Sequence, residues 1–326
     1  MIMDKIWRLE PAYKDYLWGG EKLKKEYNKK SPYTMTAESW ELSCHKNGET
    51  RISGGQYDGM TLSEAIKSAK DSGADVLGNR FSSFSEFPVL IKLIDANQAL
   101  SIQVHPDDEY AREKEGGYGK TEVWYVVSAD EGAELIYGFS KDVTREELRR
   151  AIENCELSPL LNSVPVKAGD VFFVEAGLLH AIGKGILICE IQQNSDTTYR
   201  VYDWGRVGAD GKPRELHIDK ALDVLKLSRE SASDFSPKLI SKDGEIEIYE
   251  IASCKYFNVK KVIQGDRYCI ASNGESFKAL TFVSGEGHIK SENEKKSFKK
   301  GDSFFLSAEC GEYIIEGNCE YLITEV

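Results

Sequence analysis

The sequence predicts a mainly β protein of two barrel-like domains, with short helical insertions in the first. Three observations lead to that expectation. Short β-branched and aromatic runs recur between Gly, Asn, Asp and Lys, as the strands of sandwiches and barrels do. Helical periodicity is confined to three segments. A Gly-Asp-x-Phe-Phe stretch occurs twice, at residues 169–173 and 301–305, the mark of a repeated architecture.

In chain order, strands are expected at Pro88–Leu93, Leu100–Val104, Glu122–Val127, Ala133–Gly138, Asp170–Val174, Ile186–Gln193 and Arg200–Trp204. Two helices open on capping residues: Thr61 with Glu64 three positions on, and Thr144 with Glu147, where a hydroxyl and a carboxylate answer the free N–H groups of a first turn. A third spans His217–Leu227, with Ile218, Ala221, Leu222 and Leu225 as an apolar stripe. The Ser-rich stretch 228–237 reads as a linker. Residues 1–230 then form the first domain and 238–326 the second. The repeat aligns Gly169–Ile182 with Gly301–Ile314 and sets Glu312 where the first copy has His180. The second copy also lacks a strand-spaced Gln/His pair, so it is expected to bind no metal and to serve packing or assembly.

Composition narrows the class. A chain of 326 residues with 41% apolar and 29% charged content is that of a soluble globular protein. A net charge of −12 and a pI near 5.1 argue against nucleic acid as a partner, which would ask for a basic face. No secretory leader opens the sequence and no apolar run is long enough to span a bilayer, so no membrane association is expected. Seven scattered Cys without a CxxC pair fit free thiols in a reducing cytoplasm. Oligomeric state is left open by the sequence.

Chemistry concentrates at Gln103, His105, Glu122 and His180. Gln103 and His105 are two residues apart in a β-branched run, so on a strand both point to one face. In Thr121–Val127 alternation puts Glu122, Trp124 and Val126 on one side. His180 follows a Gly corner at Gly177. Any one of the five His is more often a hydrogen-bonded structural residue. Two imidazoles, a carboxylate and an amide in this pattern instead suit a divalent ion, Zn²⁺ first, with Fe²⁺ and Mn²⁺ as neighbours. Lys92 lies inside the apolar run Val89–Ile94. A charge there must snorkel to solvent or face a cavity, and the cavity is the favoured reading. Alternation places Arg200, Tyr202 and Trp204 on one strand face and Glu190 with Gln192 on another. The competing explanation for Glu190 and Arg200 is a structural ion pair at a rim.

The turn from Gly169 through Glu175-Ala-Gly177 to His180 resembles the second half of the cupin signature, with Glu175 where cupins usually have Pro. More narrowly, Ser101-Ile-Gln103-Val-His105-Pro-Asp107, Lys120-Thr-Glu122, Gly177-Leu-Leu-His180 and Ser195-Asp196-Thr-Thr-Tyr-Arg200 resemble the type I mannose-6-phosphate isomerases in their short bacterial form. The likeness runs from Trp18-Gly-Gly20 through Ala37-Glu-Ser-Trp40 to Trp204.

That resemblance implies two cupin-like jelly-roll domains and one Zn²⁺ per chain, held by Gln103, His105, Glu122 and His180. It implies Arg200 as the active-site arginine, with Lys92, Lys120, Glu190 and Asp196 in the pocket and Glu38, Ser101 and Trp18 beside them. His45 falls one residue away from a family pocket His. The implied reaction interconverts mannose 6-phosphate and fructose 6-phosphate, with a phosphorylated hexose as the partner. Glu190 is the first candidate for the proton shuttle, and Lys92 or Lys120 is the alternative if burial lowers a lysine pKa. The phosphate falls to a cation, with Ser101 as a hydrogen-bond donor. Two other classes compete. A cupin oxygenase would use Fe²⁺ but usually carries His-x-His in place of Gln103-Val-His105, and a non-catalytic sugar-binding cupin would need no perturbed acid or base.

Overall fold

The computed structural model describes residues 3–208, 211–229, 236–309 and 311–326. The expected linker at 228–237 lies largely outside them, at 230–235. Strands dominate, and among the described residues they form antiparallel sheets of six, five and eleven strands. No helix among these residues is long and apolar enough to cross a membrane.

The first two sheets position the site. The six-stranded sheet runs, in spatial order, Val171–Val174, Glu122–Ala129, Ile186–Gln193, Val89–Ala96, Glu38–Leu42 and Ala12–Lys14. Its middle strand, Ile186–Gln193, is buried along its whole length, which explains its near-continuous apolar sequence. Register across it sets Glu190 opposite Lys92 on one side and opposite Trp124 on the other. The five-stranded sheet runs Tyr199–Tyr202, Ile102–Val104, His180–Ala181, Glu134–Phe139 and Leu161–Pro165. In it Gln103 faces His180 on one neighbour and Arg200 on the other. Residues far apart in sequence thus become neighbours because strand pairing is non-local.

The helices follow their caps. Leu62–Asp71 begins on a complete capping box between Thr61 and Glu64, and Arg145–Glu153 begins where Thr144 accepts from the Glu147 N–H. The third helix is shorter than expected, Ile218–Val224. A further helix, Asp108–Glu115, starts on Asp107, whose side chain accepts from Tyr110 N, and stops at Gly116 with φ +67°. Asp107 is the cap that ends the Gln103-Val-His105-Pro-Asp107 stretch, a helix-start signal.

The eleven-stranded sheet gathers most of the C-terminal strands, but it also takes in two from the N-terminal part. Ile6–Glu10 lies between Ser303–Leu306 and Arg51–Ser53, with Ile6 opposite Leu306 and Leu9 opposite Ile52. One apolar cluster accordingly includes Trp7, Ile91 and Leu187 together with Phe277, Phe305 and Leu322. Buried charge bridges the same seam. Glu41 Oε1 lies 2.6 Å from Lys29 Nζ, and its Oε2 accepts from Ser303 Oγ at 2.7 Å. The two parts of the chain therefore share a core.

The sequence repeat is also a structural one. Gly169 N donates to Val126 O at 2.8 Å and Val126 N to Asp170 O at 2.9 Å; Gly301 N donates to Phe282 O at 2.8 Å and Phe282 N to Asp302 O at 3.0 Å. Both glycines have φ near +90°, a conformation that side chains beyond glycine rarely adopt.

Candidate active site

The two sheets enclose a cavity of about 300 Å³. Beneath it three buried side chains converge. His105, Glu122 and His180 place one donor atom each within 4.8 Å of one another. His105 Nε2 lies 3.2 Å from His180 Nε2 and 3.2 Å from Glu122 Oε1.

The backbone fixes the protonation of both rings. His105 Nδ1 lies 2.9 Å from Thr197 O, and His180 Nδ1 lies 2.8 Å from Leu178 O. A carbonyl only accepts, so each Nδ1 carries the proton and each Nε2 presents a lone pair inward. Burial, reinforced by the Lys120 ammonium, pushes His105 down to about 3, and burial lowers His180 as well. Both rings are therefore neutral. Two lone pairs 3.2 Å apart repel unless a cation stands between them. Glu122 Oε1 is buried and accepts no hydrogen bond, although Lys120 Nζ lies 2.7 Å away. Burial opposes ionisation of Glu122, but the Lys120 ammonium beside it holds its carboxyl well below the usual range. Two neutral imidazole nitrogens and an ionised carboxylate oxygen, with both imidazoles anchored at the opposite nitrogen, form a donor set that fits a divalent metal ion. Gln103 is half-buried, lines the cavity and sits opposite His180 in the sheet.

Gly177 makes this possible. Its N–H donates to His105 O at 2.9 Å and its carbonyl accepts from Lys226 N at 2.9 Å. Its φ is +88°, and a Cβ there would lie 2.8 Å from Val224 O. No larger residue fits a turn held so closely on both sides. Glu175, the departure from the cupin pattern, points away from the cluster and pairs with Lys226 at 2.7 Å.

The eight other residues singled out from sequence all line the cavity: Trp18, Glu38, Lys92, Ser101, Lys120, Glu190, Asp196 and Arg200. Glu190 Oε1 lies 3.2 Å from Lys92 Nζ, while Glu38 is 4.0 Å from the same ammonium. Burial, with Glu122 nearby, pushes Glu190 up to about 7 against the pull of Lys92 and Lys120. Lys92 faces the cavity rather than snorkelling, and it is 5% exposed. Burial would lower its pKa, but Glu38, Glu190 and Glu122 raise it instead. The condition for a lysine acid/base there is not met, because three carboxylates stabilise the ammonium.

The rim ion pair between Glu190 and Arg200 does not form. Glu190 pairs with Lys92, and Arg200 Nη1 donates to Glu215 O at 2.8 Å. Arg200 Nε is buried without a partner, and among the described residues no carboxylate lies within ion-pairing distance of it. Burial and the neighbouring Arg214 lower its pKa against the pull of Asp203 and Glu215. Asp196 is tied to the 45–47 loop: Oδ2 accepts from Asn47 Nδ2 at 2.5 Å, and Oδ1 lies 3.5 Å from His45 Nε2.

Sequence reasoning missed Arg214, Tyr16 and Thr198, which also line the cavity. Arg214 follows an irregular loop, and Asp203 fixes it there through contacts at 2.7 and 2.5 Å; no periodicity marks such a placement. The Thr197 and Leu178 carbonyls leave no side-chain signal at all. Trp124 was legible, since alternation already set its indole beside Glu122.

Residues 6–132 match the model of phosphomannose isomerase type I, catalytic domain, and 246–326 that of mannose-6-phosphate isomerase, cupin domain. The chain is 40% identical over 307 residues to mannose-6-phosphate isomerase of Streptococcus mutans, covering 94% of this chain and 93% of that one. It is 38% identical over 318 residues to a mannose-6-phosphate isomerase of Bacillus subtilis, covering 97% and 98%. The crystal structure of the mannose 6-phosphate isomerase from Bacillus subtilis superimposes with a TM-score of 0.90 at 35% identity, covering 99% of this chain and 100% of that one. The mainly β fold, the buried donor cluster and these full-length similarities lead to one conclusion: the chain belongs to the type I mannose-6-phosphate isomerase family.

Proposed function

We propose that this protein is a cytoplasmic aldose–ketose isomerase that interconverts mannose 6-phosphate and fructose 6-phosphate with one Zn²⁺ per chain. The observation that carries the reading is the meeting, around one cavity, of the His105–Glu122–His180 donor cluster, a buried carboxylate poised near neutrality at Glu190 and the half-buried Arg200 guanidinium, which is in no ion pair among the described residues. The activity of the relatives gives the substrate. Free thiols at the six described cysteines support the address. The repeat supports two barrels of cupin type, 1–230 and 238–326, with the first strand lent to the second.

The reaction moves a proton from C2 of the open-chain sugar to C1 through a cis-enediolate, while the O1 and O2 protons rearrange to leave a C2 carbonyl. Gln103, His105, Glu122 and His180 would hold the ion, which would supply positive charge to polarise the sugar oxygens. Glu190 takes the C2 proton and returns it to C1, and its raised pKa suits both steps. Lys92 keeps the Glu190 carboxylate in place and offsets its charge. Arg200 faces the developing enediolate, where a fixed guanidinium in a buried site is worth most. Lys120 holds Glu122 ionised. Arg214, with Ser101 as a hydroxyl donor, receives the phosphate at the cavity mouth, leaving Arg200 to a single task. Glu38, Trp18 and Asp196 shape the remaining wall.

The test is a mannose 6-phosphate isomerase assay on protein stripped by a strong chelator and then reloaded. Activity should vanish on stripping and return with zinc. Full activity in verified metal-free protein removes the metal from the reaction, and no activity in zinc-loaded protein removes the isomerase reading.

A further inference from the structure

The C-terminal part contains a second cavity, of about 280 Å³, and strand register shows what it corresponds to. The paired turns at Gly169 and Gly301 superimpose Val126 on Phe282. Four residues earlier in the same strands, Glu122 falls on Lys278. The neighbouring strands agree, because Glu122 pairs with Val174 and Lys278 with Leu306, each the fifth residue after its turn glycine. Glu190, opposite Trp124, falls on Ile323, opposite Leu280. Lys92, opposite Glu190, then falls on Lys260, opposite Ile323. Gln103 faces His180 and Ala271 faces Glu312, so Gln103 falls on Ala271 and His105 on Asn273.

Lys278, Lys260, Ile323, Ala271 and Asn273 all line the second cavity. It is therefore the counterpart of the candidate active site, reached by the same register and nearly as large. Its chemistry has been exchanged. An ammonium, Lys278, stands at the position of the ligand carboxylate, and an amide and a methyl replace His105 and Gln103. Glu312, at the His180 position, is exposed and does not line the cavity. The base is gone, since Ile323 stands for Glu190. The lysine equivalent to Lys92 is kept.

The walls are apolar on one side, at Ile248, Val262, Ile270 and Ile323, and charged on the other. Three cations, Arg80, Lys260 and Lys278, face two carboxylates, Glu275 and Glu325. Lys278, itself only 9% exposed, is committed to Glu325 at 2.6 Å. Lys260 reaches only to 3.6 Å from the other oxygen of Glu325, and Arg80 to 3.8 Å from Glu275. The lining carries a surplus positive charge in a chain of net charge −12. A concave site of mixed polarity with loosely held cations is built for an anion that also has hydroxyl and carbon surface.

We propose that this second cavity is a ligand site that takes a small hydroxylated organic anion of the sugar-phosphate kind, with Lys260 and Arg80 holding the anionic group. It performs no isomerisation, because neither the donor set nor the base survives there. Arg80 ties it to the rest of the molecule: its N–H donates to Glu275 O at 2.9 Å, and Asn79 N donates to Gly274 O at 2.9 Å. An occupant would press on a turn that the N-terminal part grips directly.

The test is equilibrium titration of the full-length, zinc-loaded protein with 6-phosphogluconate, a sugar-acid phosphate with no aldehyde or ketone to isomerise. Two equivalents per chain are expected, with excess inorganic phosphate displacing the second. Lys260→Glu should remove one equivalent and leave kcat/KM for isomerisation within about twofold. Its side chain is 41% exposed, so charge reversal is compatible with folding, and Lys278→Met provides an independent check. A single equivalent in the unmodified protein overturns the proposal. So does a second equivalent that phosphate cannot displace, or one that survives Lys260→Glu with unchanged affinity. The isomerase assay is read separately, so failure here leaves the proposed activity standing.

Discussion

One indole N–H joins two buried carboxylates: Trp124 Nε1 lies 2.9 Å from Glu122 Oε2 and 2.9 Å from Glu190 Oε2. The first acid belongs to the metal-capable cluster, and the second is the proposed base. Both are nearly without solvent access, so this shared donor fixes how they stand to each other. It leaves Oε1 of Glu122 for the ion and Oε1 of Glu190 for Lys92.

Trp124→Phe keeps the ring packing and deletes that donor. A supporting bond of this kind is worth roughly 10–100-fold in metal affinity or activity. We expect zinc to bind about tenfold more weakly or worse and kcat to fall with it, measured by chelator competition and steady-state assay. Unchanged values for both would mean the indole is only filling space.

Glu190→Gln keeps the side-chain shape and one accepting oxygen for Lys92 or Trp124, but it cannot accept a proton from carbon. A positioned base contributes about 10²–10⁴-fold, and kcat should drop by that order with KM little changed. Deuterium exchange at C2 of the substrate in heavy water should disappear in parallel. Exchange at the original rate would place the base elsewhere.

The Arg200 guanidinium donates to Glu215 O and has no carboxylate within ion-pairing distance among the described residues, so Arg200→Ala breaks no ion pair. Loss of one preorganised charge in a water-poor site costs on the order of 10²–10³ in kcat. The melting temperature should hold within a few degrees and zinc content should be unaffected. A variant with full turnover would reject its transition-state role.

Stability should depend on pH through Asp203. Burial alone would raise its pKa, but Arg214 and Arg206 hold the carboxyl below its ordinary range. A folded-state pKa below the unfolded value of about 3.9 means stabilisation that is complete above that value and fades as pH falls through the folded one. Asp203→Asn should therefore cost about 2 kcal/mol at pH 7, the scale of a charge-assisted hydrogen bond, and much less near pH 3. Urea unfolding at the two pH values decides it. A cost that does not shrink in acid would contradict the assignment. Because Arg214 loses its anchor, the variant should also raise KM for the phosphorylated substrate.

Much of the first part was legible because its signals are local. Ile186–Gln193 is a strand over the anticipated residues, Glu122–Ala129 extends the predicted one by two, and the Thr61 and Thr144 helices begin on their caps. Caps and alternation depend on neighbours in the chain, so they survive folding intact. Ile6–Glu10 escaped notice because its partners lie near residues 51–53 and 303–306. Nothing in a five-residue run tells which sheet will take it.

By itself the sequence determined which chemical groups are available and which neighbours share a face: Gln103 with His105, Glu122 with Trp124, and a glycine where the turn before His180 needs positive φ. Only the tertiary structure decided that both imidazoles are neutral, since their tautomers are set by the carbonyls of Thr197 and Leu178. It alone decided that Lys92 stays charged and that the Arg200 guanidinium meets a backbone carbonyl, Glu215 O, instead of Glu190. It also brought Lys260 and Lys278 to the lining of a second cavity, at the positions that register equates with Lys92 and Glu122. Those outcomes depend on burial and through-space charge, which act between groups that only the folded chain brings within a few ångströms.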